Sequence, residues 1–360
     1  MKQAYEIRTY GDDRFHYTAG YFPDNKWLDN DTLILERAVH PSIGCNDFEG
    51  KAGEIELVRL DLRDDRMEVV CRDRIFGYHY LVHGNRIYYT DRQALHVLDL
   101  ATGANTILYS NEDYHAGEPT AALCGPSITL DGKAICVHVI GAAITTRAIV
   151  LDTATGRVRY CFDAPFSRPF SQASHVMICP TDADLVYFCH EGTTEYISNR
   201  MWLYDARSRK AWCCARQRLD ENGNLGDCFG HEMWAPDGKG MYFVKYAQSP
   251  LRPAGICYVD TECGNPQVLY SGFRYWHVGV SADGSCLMAD TQHGPWAKGM
   301  SEVVVVDLAD HTETLIDTAL STNHPNHPHP QLSPDASRLI YTSLDERGRS
   351  VMKAAFLETK

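Results

Sequence analysis

The sequence predicts an all-β fold, a seven-bladed β-propeller with four antiparallel strands per blade in one domain over residues 1–360. Three observations predict it. An apolar run, a turn rich in Pro-Asp or Asp-Gly, and a second apolar run recur seven times in phase. A third run follows each pair and usually ends in aspartate. A further turn then leads to a fourth run. Four short strands per unit, at a spacing of roughly 45 to 60 residues, is the period of propeller blades.

Taken in order, the units begin at Thr18-Ala-Gly-Tyr-Phe-Pro23-Asp24, Gly77 to Gly84, and Gly125 to Gly132. Clearer copies follow at His175 to Pro180, His231-Glu-Met-Trp-Ala-Pro236-Asp237-Gly238, His277 to Gly284, and His329-Pro-Gln-Leu-Ser-Pro334-Asp335. Second runs centre on Leu33 to Leu35, Ile87 to Tyr89, Ile135 to Val137, Val186 to Phe188, Met241 to Phe243, Leu287 to Ala289 and Leu339 to Tyr341. Third runs end at Asp61, Asp99, Asp152, Asp205, Asp260 and Asp307. Pro, Asp and Gly between such runs are turn formers with distinct physical roles. The last unit lacks a fourth run, and the segment near Ala4 to Thr9 is the expected donor, closing the ring and hiding exposed sheet edges.

The composition excludes several function classes. At 360 residues the chain exceeds an ordinary single core, which a repeat architecture allows. With 44% hydrophobic and 22% charged residues it reads as soluble and globular. No apolar run of about 18 residues is present, so no membrane partner is expected. The start lacks a secretory apolar region. The 13 scattered cysteines, an odd number that includes adjacent Cys213 and Cys214, match neither a zinc spacing nor a disulfide framework. Reduced thiols and a cytoplasmic location are expected. A net charge of -13 argues against nucleic acid as a partner, and requires a locally basic site for any anionic ligand.

The candidate site rests on a recurrence. At the first position of the first strand, blades one to three carry Thr18, Gly77 and Gly125, and blades four to seven carry His175, His231, His277 and His329. First strands line the channel of a propeller, so these positions are expected at one mouth. A lone histidine is more often a core residue; four at equivalent positions form half a ring of imidazoles. His324, His327 and His329 also lie among Pro325, Pro328 and Pro330, which stiffen the backbone into extended form. Loops between second and third strands add Arg92, Arg147, His190, Arg200, Lys245 and His293. Singly each reads as a solvated loop charge; together they suit an anionic ligand. Clustered imidazoles with few carboxylates suit zinc, manganese, iron, nickel or copper better than calcium. Neither a serine-hydrolase elbow nor a phosphate-binding loop is present.

Phe188-Cys189-His190-Glu191-Gly192, Asn199-Arg200-Met201-Trp202, Gly230-His231-Glu232-Met233-Trp234, Trp276-His277 and His327-Pro328-His329-Pro330 carry a family resemblance. The pattern resembles the oligogalacturonate lyases, polysaccharide lyase family 22. The resemblance implies a seven-bladed propeller that degrades short pectic fragments in the cytoplasm with a divalent metal, manganese first, with zinc, iron, nickel or cobalt as other candidates. It implies His231 as catalytic base and Arg200 as an active-site arginine. It implies His277, His327 and His329 as metal ligands, with His324 standing where the family has a glutamine ligand. Thr193 stands where the family has proline. His175, His190, Arg92, Arg147, Lys245 and His293 remain candidates for holding the substrate.

The implied chemistry suits these residue types. β-Elimination in a 4-linked uronide removes the C5 proton, α to a carboxylate, and expels O4. A metal offsets the developing charge, and a histidine can take the proton near neutral pH. Paired glycosidase carboxylates are not needed. A lyase acting on another uronate, and a binding propeller without catalysis, are the other readings open at this level.

Overall fold

Seven four-stranded antiparallel sheets account for every strand in the computed structural model. It describes residues 2–18, 20, 25–40, 54–75, 80–111, 121–141, 145–192, 197–262, 264–272, 274–291, 299–321 and 327–359. No α-helix occurs among them. The fold is the expected seven-bladed β-propeller.

Blade one is β2 (His16–Thr18), β3 (Thr32–Ala38), β4 (Glu54–Asp61) and β5 (Arg66–Arg74). Blade two is β6 (Tyr80–His83), β7 (Arg86–Thr90), β8 (Ala94–Asp99) and β9 (Asn105–Ser110). Blade three is β10 (Ala122–Ile128), β11 (Ala134–Ile140), β12 (Arg147–Asp152) and β13 (Val158–Asp163). Blade four is β14 (Ala173–Ile178), β15 (Leu185–His190), β16 (Met201–Asp205) and β17 (Lys210–Ala215). Blade five is β18 (Phe229–Trp234), β19 (Gly240–Lys245), β20 (Gly255–Asp260) and β21 (Gln267–Ser271). Blade six is β22 (Tyr275–Val280), β23 (Cys286–Thr291), β24 (Met300–Asp307) and β25 (Thr312–Leu320). The last sheet joins β26 (Gln331–Leu332), β27 (Arg338–Leu344) and β28 (Ser350–Thr359) to β1 (Lys2–Tyr10), which pairs with β28 from Lys2 opposite Thr359 to Tyr10 opposite Met352.

The recurring turn residues have a local cause. In the Asp-Gly turns, Gly132, Gly238 and Gly284 adopt φ of 69°, 70° and 73°, where a side chain is disfavoured. Their amides donate to Thr129, Ala235 and Ser281 carbonyls at 2.9 Å. The aspartates ending third strands accept backbone N–H bonds across the next turn. Ala101 donates to Asp99 at 3.0 Å, Thr155 to Asp152 at 2.9 Å and Ala309 to Asp307 at 2.9 Å. An Asx turn of this kind mimics a backbone turn and explains why aspartate returns.

The chain divides into two compact units. One comprises Met1–Tyr88, Leu98–Asn105 and Trp276–Lys360; the other comprises Tyr89–Val97 and Thr106–Tyr275. The first contains a core of Tyr10, Tyr17, Trp27, Leu33, Leu35, Ile340, Met352 and Phe356, and a second around Met288, Val303, Val305, Leu339 and Tyr341. In the other unit, Met177, Tyr187, Leu203, Phe229, Met241 and Phe243 pack blades four and five, and Val150, Ile178, Val186 and Phe188 pack blades three and four. Burial of these side chains is the main stabilising term, about 1.5–3 kcal/mol for each large aliphatic or aromatic group.

Candidate functional site

At His175, His231 and His329 the repeat position is a backbone irregularity. In β10, β14 and β18 the register slips by one residue against the next strand. Cys124 faces His138 and Ser127 faces Cys136; Ser174 faces Cys189 and Met177 faces Tyr187; Gly230 faces Val244 and Met233 faces Tyr242. The first residue inside each slip has a left-handed backbone: Gly125 at φ 53°, His175 at 48° and His231 at 55°. His329, just before β26, has φ 42°. Glycine takes this conformation at no steric cost, whereas an L side chain loses about 1–2 kcal/mol. Bulges re-aim side chains, and strain of this kind concentrates at functional sites. Gly230 has a separate reason to lack a side chain, because a Cβ there would lie 2.5 Å from the Tyr246 ring.

In the unit containing blades three to five, these bulges assemble a charged network. The Glu232 carboxylate is fully buried and accepts from Arg200 Nε at 2.6 Å and from His175 Nδ1 at 2.8 Å. Arg200 also donates to Glu191 through Nη1 at 3.3 Å and Nη2 at 3.2 Å. Three of the five guanidinium N–H donors are thereby used. Glu191 further accepts from the Ser174 hydroxyl and, at 3.3 Å, from the Cys189 thiol. Burial pushes the Glu232 carboxyl up, but the Arg200 charge and the His175 hydrogen bond outweigh it and hold it at about 2. Glu191 is likewise lowered, with the charges of Arg200 and His175 overcoming burial. The His231 ring, 3% exposed, stands edge-on to His175 with centroids 5.9 Å apart.

In the other unit, His277, His327 and His329 converge. All three are buried, and one ligand nitrogen of each lies within 4.8 Å of the others. The rings of His277 and His329 have centroids 4.1 Å apart, and Trp276 closes the cluster edge-on to His327 at 4.9 Å. Behind them, the Asp290 carboxylate contacts His277 Nδ1 at 2.8 Å and accepts the backbone N–H of His277 at 3.1 Å and of His329 at 3.0 Å. With the Nδ1 hydrogen on the carboxylate side, His277 keeps its Nε2 lone pair for a ligand. A carboxylate that orients a histidine in this way is the usual support of a metal-binding imidazole. Three convergent imidazoles fit a divalent transition metal.

Other predicted residues are engaged elsewhere. His190 contacts the Phe170 carbonyl at 2.7 Å and stacks on Phe166 at 3.7 Å. Lys245 is 3% exposed and pairs at 2.6 Å with Asp227, which Arg218 also holds. Arg147 forms a two-pronged, largely exposed pair with Asp163. Arg92, at φ 87°, accepts from the Leu123 amide through its carbonyl at 2.6 Å. His324 and His293 lie outside the described residues. Glu191, Glu232 and Asp290 were not singled out from the sequence. Asp290 did leave a signal: it is the lone charge in Cys-Leu-Met-Ala-Asp-Thr, a strand buried throughout.

Comparisons with known proteins agree with this architecture. Residues 147–358 match the family model for oligogalacturonate lyase. An oligogalacturonate lyase of Dickeya dadantii and an oligogalacturonide lyase of Pectobacterium atrosepticum are each 23% identical over 186 residues, 47% of this chain and 46% of the relative. The match thus spans about half the length of these curated relatives. Among solved structures, an oligogalacturonate lyase in complex with manganese superposes with TM-score 0.77 at 19% identity, covering 99% of this chain and 98% of that one. An oligogalacturonate lyase from Vibrio parahaemolyticus gives TM-score 0.68 at 17% identity, covering 98% of both.

Proposed function

The chain belongs to the oligogalacturonate lyase family, and from that premise we propose that it cleaves short oligogalacturonides, fragments of pectin, by β-elimination. The observation that carries the reading is the buried convergence of His277, His327 and His329 in front of Asp290. These three histidines, with His324, are the proposed holders of the metal. A divalent cation held there, manganese first among the candidates, supplies positive charge opposite the carboxylate that gains charge as C5 is deprotonated.

His231 is the proposed base, taking the C5 proton as the C4–C5 double bond forms and O4 departs. Its burial shields the ring from bulk water, which favours a defined proton acceptor. Arg200, fixed by Glu232 and Glu191, offers its remaining N–H donors to a sugar carboxylate. The proposed product is a 4,5-unsaturated uronate, and the partner is a small anionic oligosaccharide. A cytoplasmic location is proposed on the scatter of the 13 cysteines, whose spacing matches no disulfide framework. The test is incubation with manganese and a panel of uronate oligomers, read by near-ultraviolet absorbance. Oligogalacturonides should give rising absorbance; a response only to other uronates, or to none, overturns the proposal.

A further inference from the structure

Resting on the lyase reading above, we propose that His175 is the proton donor to the departing O4, with Glu232 as the residue that positions it. The network holds two carboxylates, the fully covered Glu232 and the partly exposed Glu191, against one guanidinium, Arg200. That leaves one negative charge uncompensated around the fully covered Glu232, which is costly. A protonated His175 brings the sum to zero, and its Nδ1 already lies on Glu232 at 2.8 Å. With Nδ1 so engaged, Nε2–H is the proton that can leave. His175 can also meet a ligand, since its side chain is 21% exposed while that of Glu232 is fully covered.

Neighbouring geometry separates the two histidines into different roles. The His231 ring is 5.9 Å from His175, edge-on, and Glu232 binds His175 although it follows His231 in sequence. Two groups whose surroundings differ in this way take opposite acid and base duties. C5 and O4 are two bonds apart, so a base and an acid each within about 3 Å of their target atoms fit this spacing. His175, Cys189 and Glu232 also have metal-like spacing. With Arg200 and a protonated His175 already balancing the two carboxylates, however, no charge is left for a metal cation there, and burial keeps the Cys189 thiol well above its ordinary range.

The step balances. The C5–H bond breaks, its proton passes to His231, and its electron pair forms the C4–C5 double bond. The C4–O4 bond breaks, its pair goes to O4, and O4 takes the Nε2 proton of His175. Exchange with solvent returns both histidines to their starting states.

The experiment compares two substrates of the metal-loaded protein: an oligogalacturonide, and a galacturonide bearing fluoride at C4, whose leaving group needs no proton. His175→Asn tolerates the left-handed backbone of this position, and His175→Gln is the second variant should the first not fold. Loss of an acid costs about 10²-fold or more on the oligogalacturonide, and under about tenfold on the fluoride. His231→Ala should lose both activities. Glu232→Gln should show the same selectivity for the sugar leaving group, as expected of a positioning residue. Equal loss on both substrates, or loss on neither, overturns the assignment of His175. A wild-type protein inactive on both substrates overturns the lyase reading instead.

Discussion

The two histidine clusters are built on the same repeat position and differ in what stands behind them. Around His277, the buried carboxylate of Asp290 is satisfied by one imidazole and two backbone amides, and two further imidazoles face the first. Around His175, the buried carboxylate of Glu232 is satisfied by one imidazole and a guanidinium. A metal cation fits the first arrangement, whereas in the second the guanidinium already supplies positive charge and a proton on His175 completes the balance. On the proposed reading, one blade position yields a metal cage or a proton-handling pair, according to whether a neighbouring loop supplies histidine or arginine. The carboxylate is common to both; its second partner decides the chemistry.

The largest expected effect comes from His231→Ala. kcat should fall by about 10²–10⁴ while metal content stays at the wild-type level. Metal analysis alongside turnover checks this, and a metal-free His231→Ala protein would erase the distinction between the clusters. Next is Asp290→Asn, which leaves the three imidazoles but loosens His277 and His329. Metal affinity should weaken about 10–100-fold. Titration calorimetry with manganese measures it, and an unchanged affinity would remove Asp290 from the comparison.

Glu232→Gln tests the other cluster through stability. Breaking a buried, hydrogen-bonded pair costs about 3 kcal/mol or more. The sign of the pH dependence follows from a native value of about 2 against an ordinary 4.5. A depressed carboxylate stabilises fully above the ordinary value and loses that contribution as pH falls toward the native one. The gap between wild type and variant in denaturant unfolding should therefore be constant at neutral pH and shrink from about pH 4.5 toward 2. A gap that widens on acidification would contradict the pairing. The smallest effect belongs to Arg147→Ala, because its pair with Asp163 is exposed. Stability should change by less than about 1 kcal/mol. Any large rise in KM would then report a substrate contact.

What the sequence determined by itself was whatever depends on a few neighbouring residues. Asp-Gly turns require glycine at positive φ, Asx turns require aspartate after the third strand, and alternating apolar runs require sheets with buried faces. Repeated in phase, those local rules specified seven blades, and they also marked His175, His231, His277 and His329 as equivalent. Only the tertiary structure decided which carboxylate each histidine meets. Lys245 and His190 read as loop charges, yet Lys245 is buried on Asp227 and His190 lies on Phe166. Glu232 read as part of a motif, yet it binds the histidine of the preceding blade. The bulge at Gly125, His175 and His231 was equally hidden, since an extra residue in one strand is defined only against its partner. The physical reason is range. Turn geometry is settled within about four residues, whereas His175 and Glu232 stand 57 residues apart and Asp290 and His329 39 apart. Pairings of that kind exist only once the strands have packed.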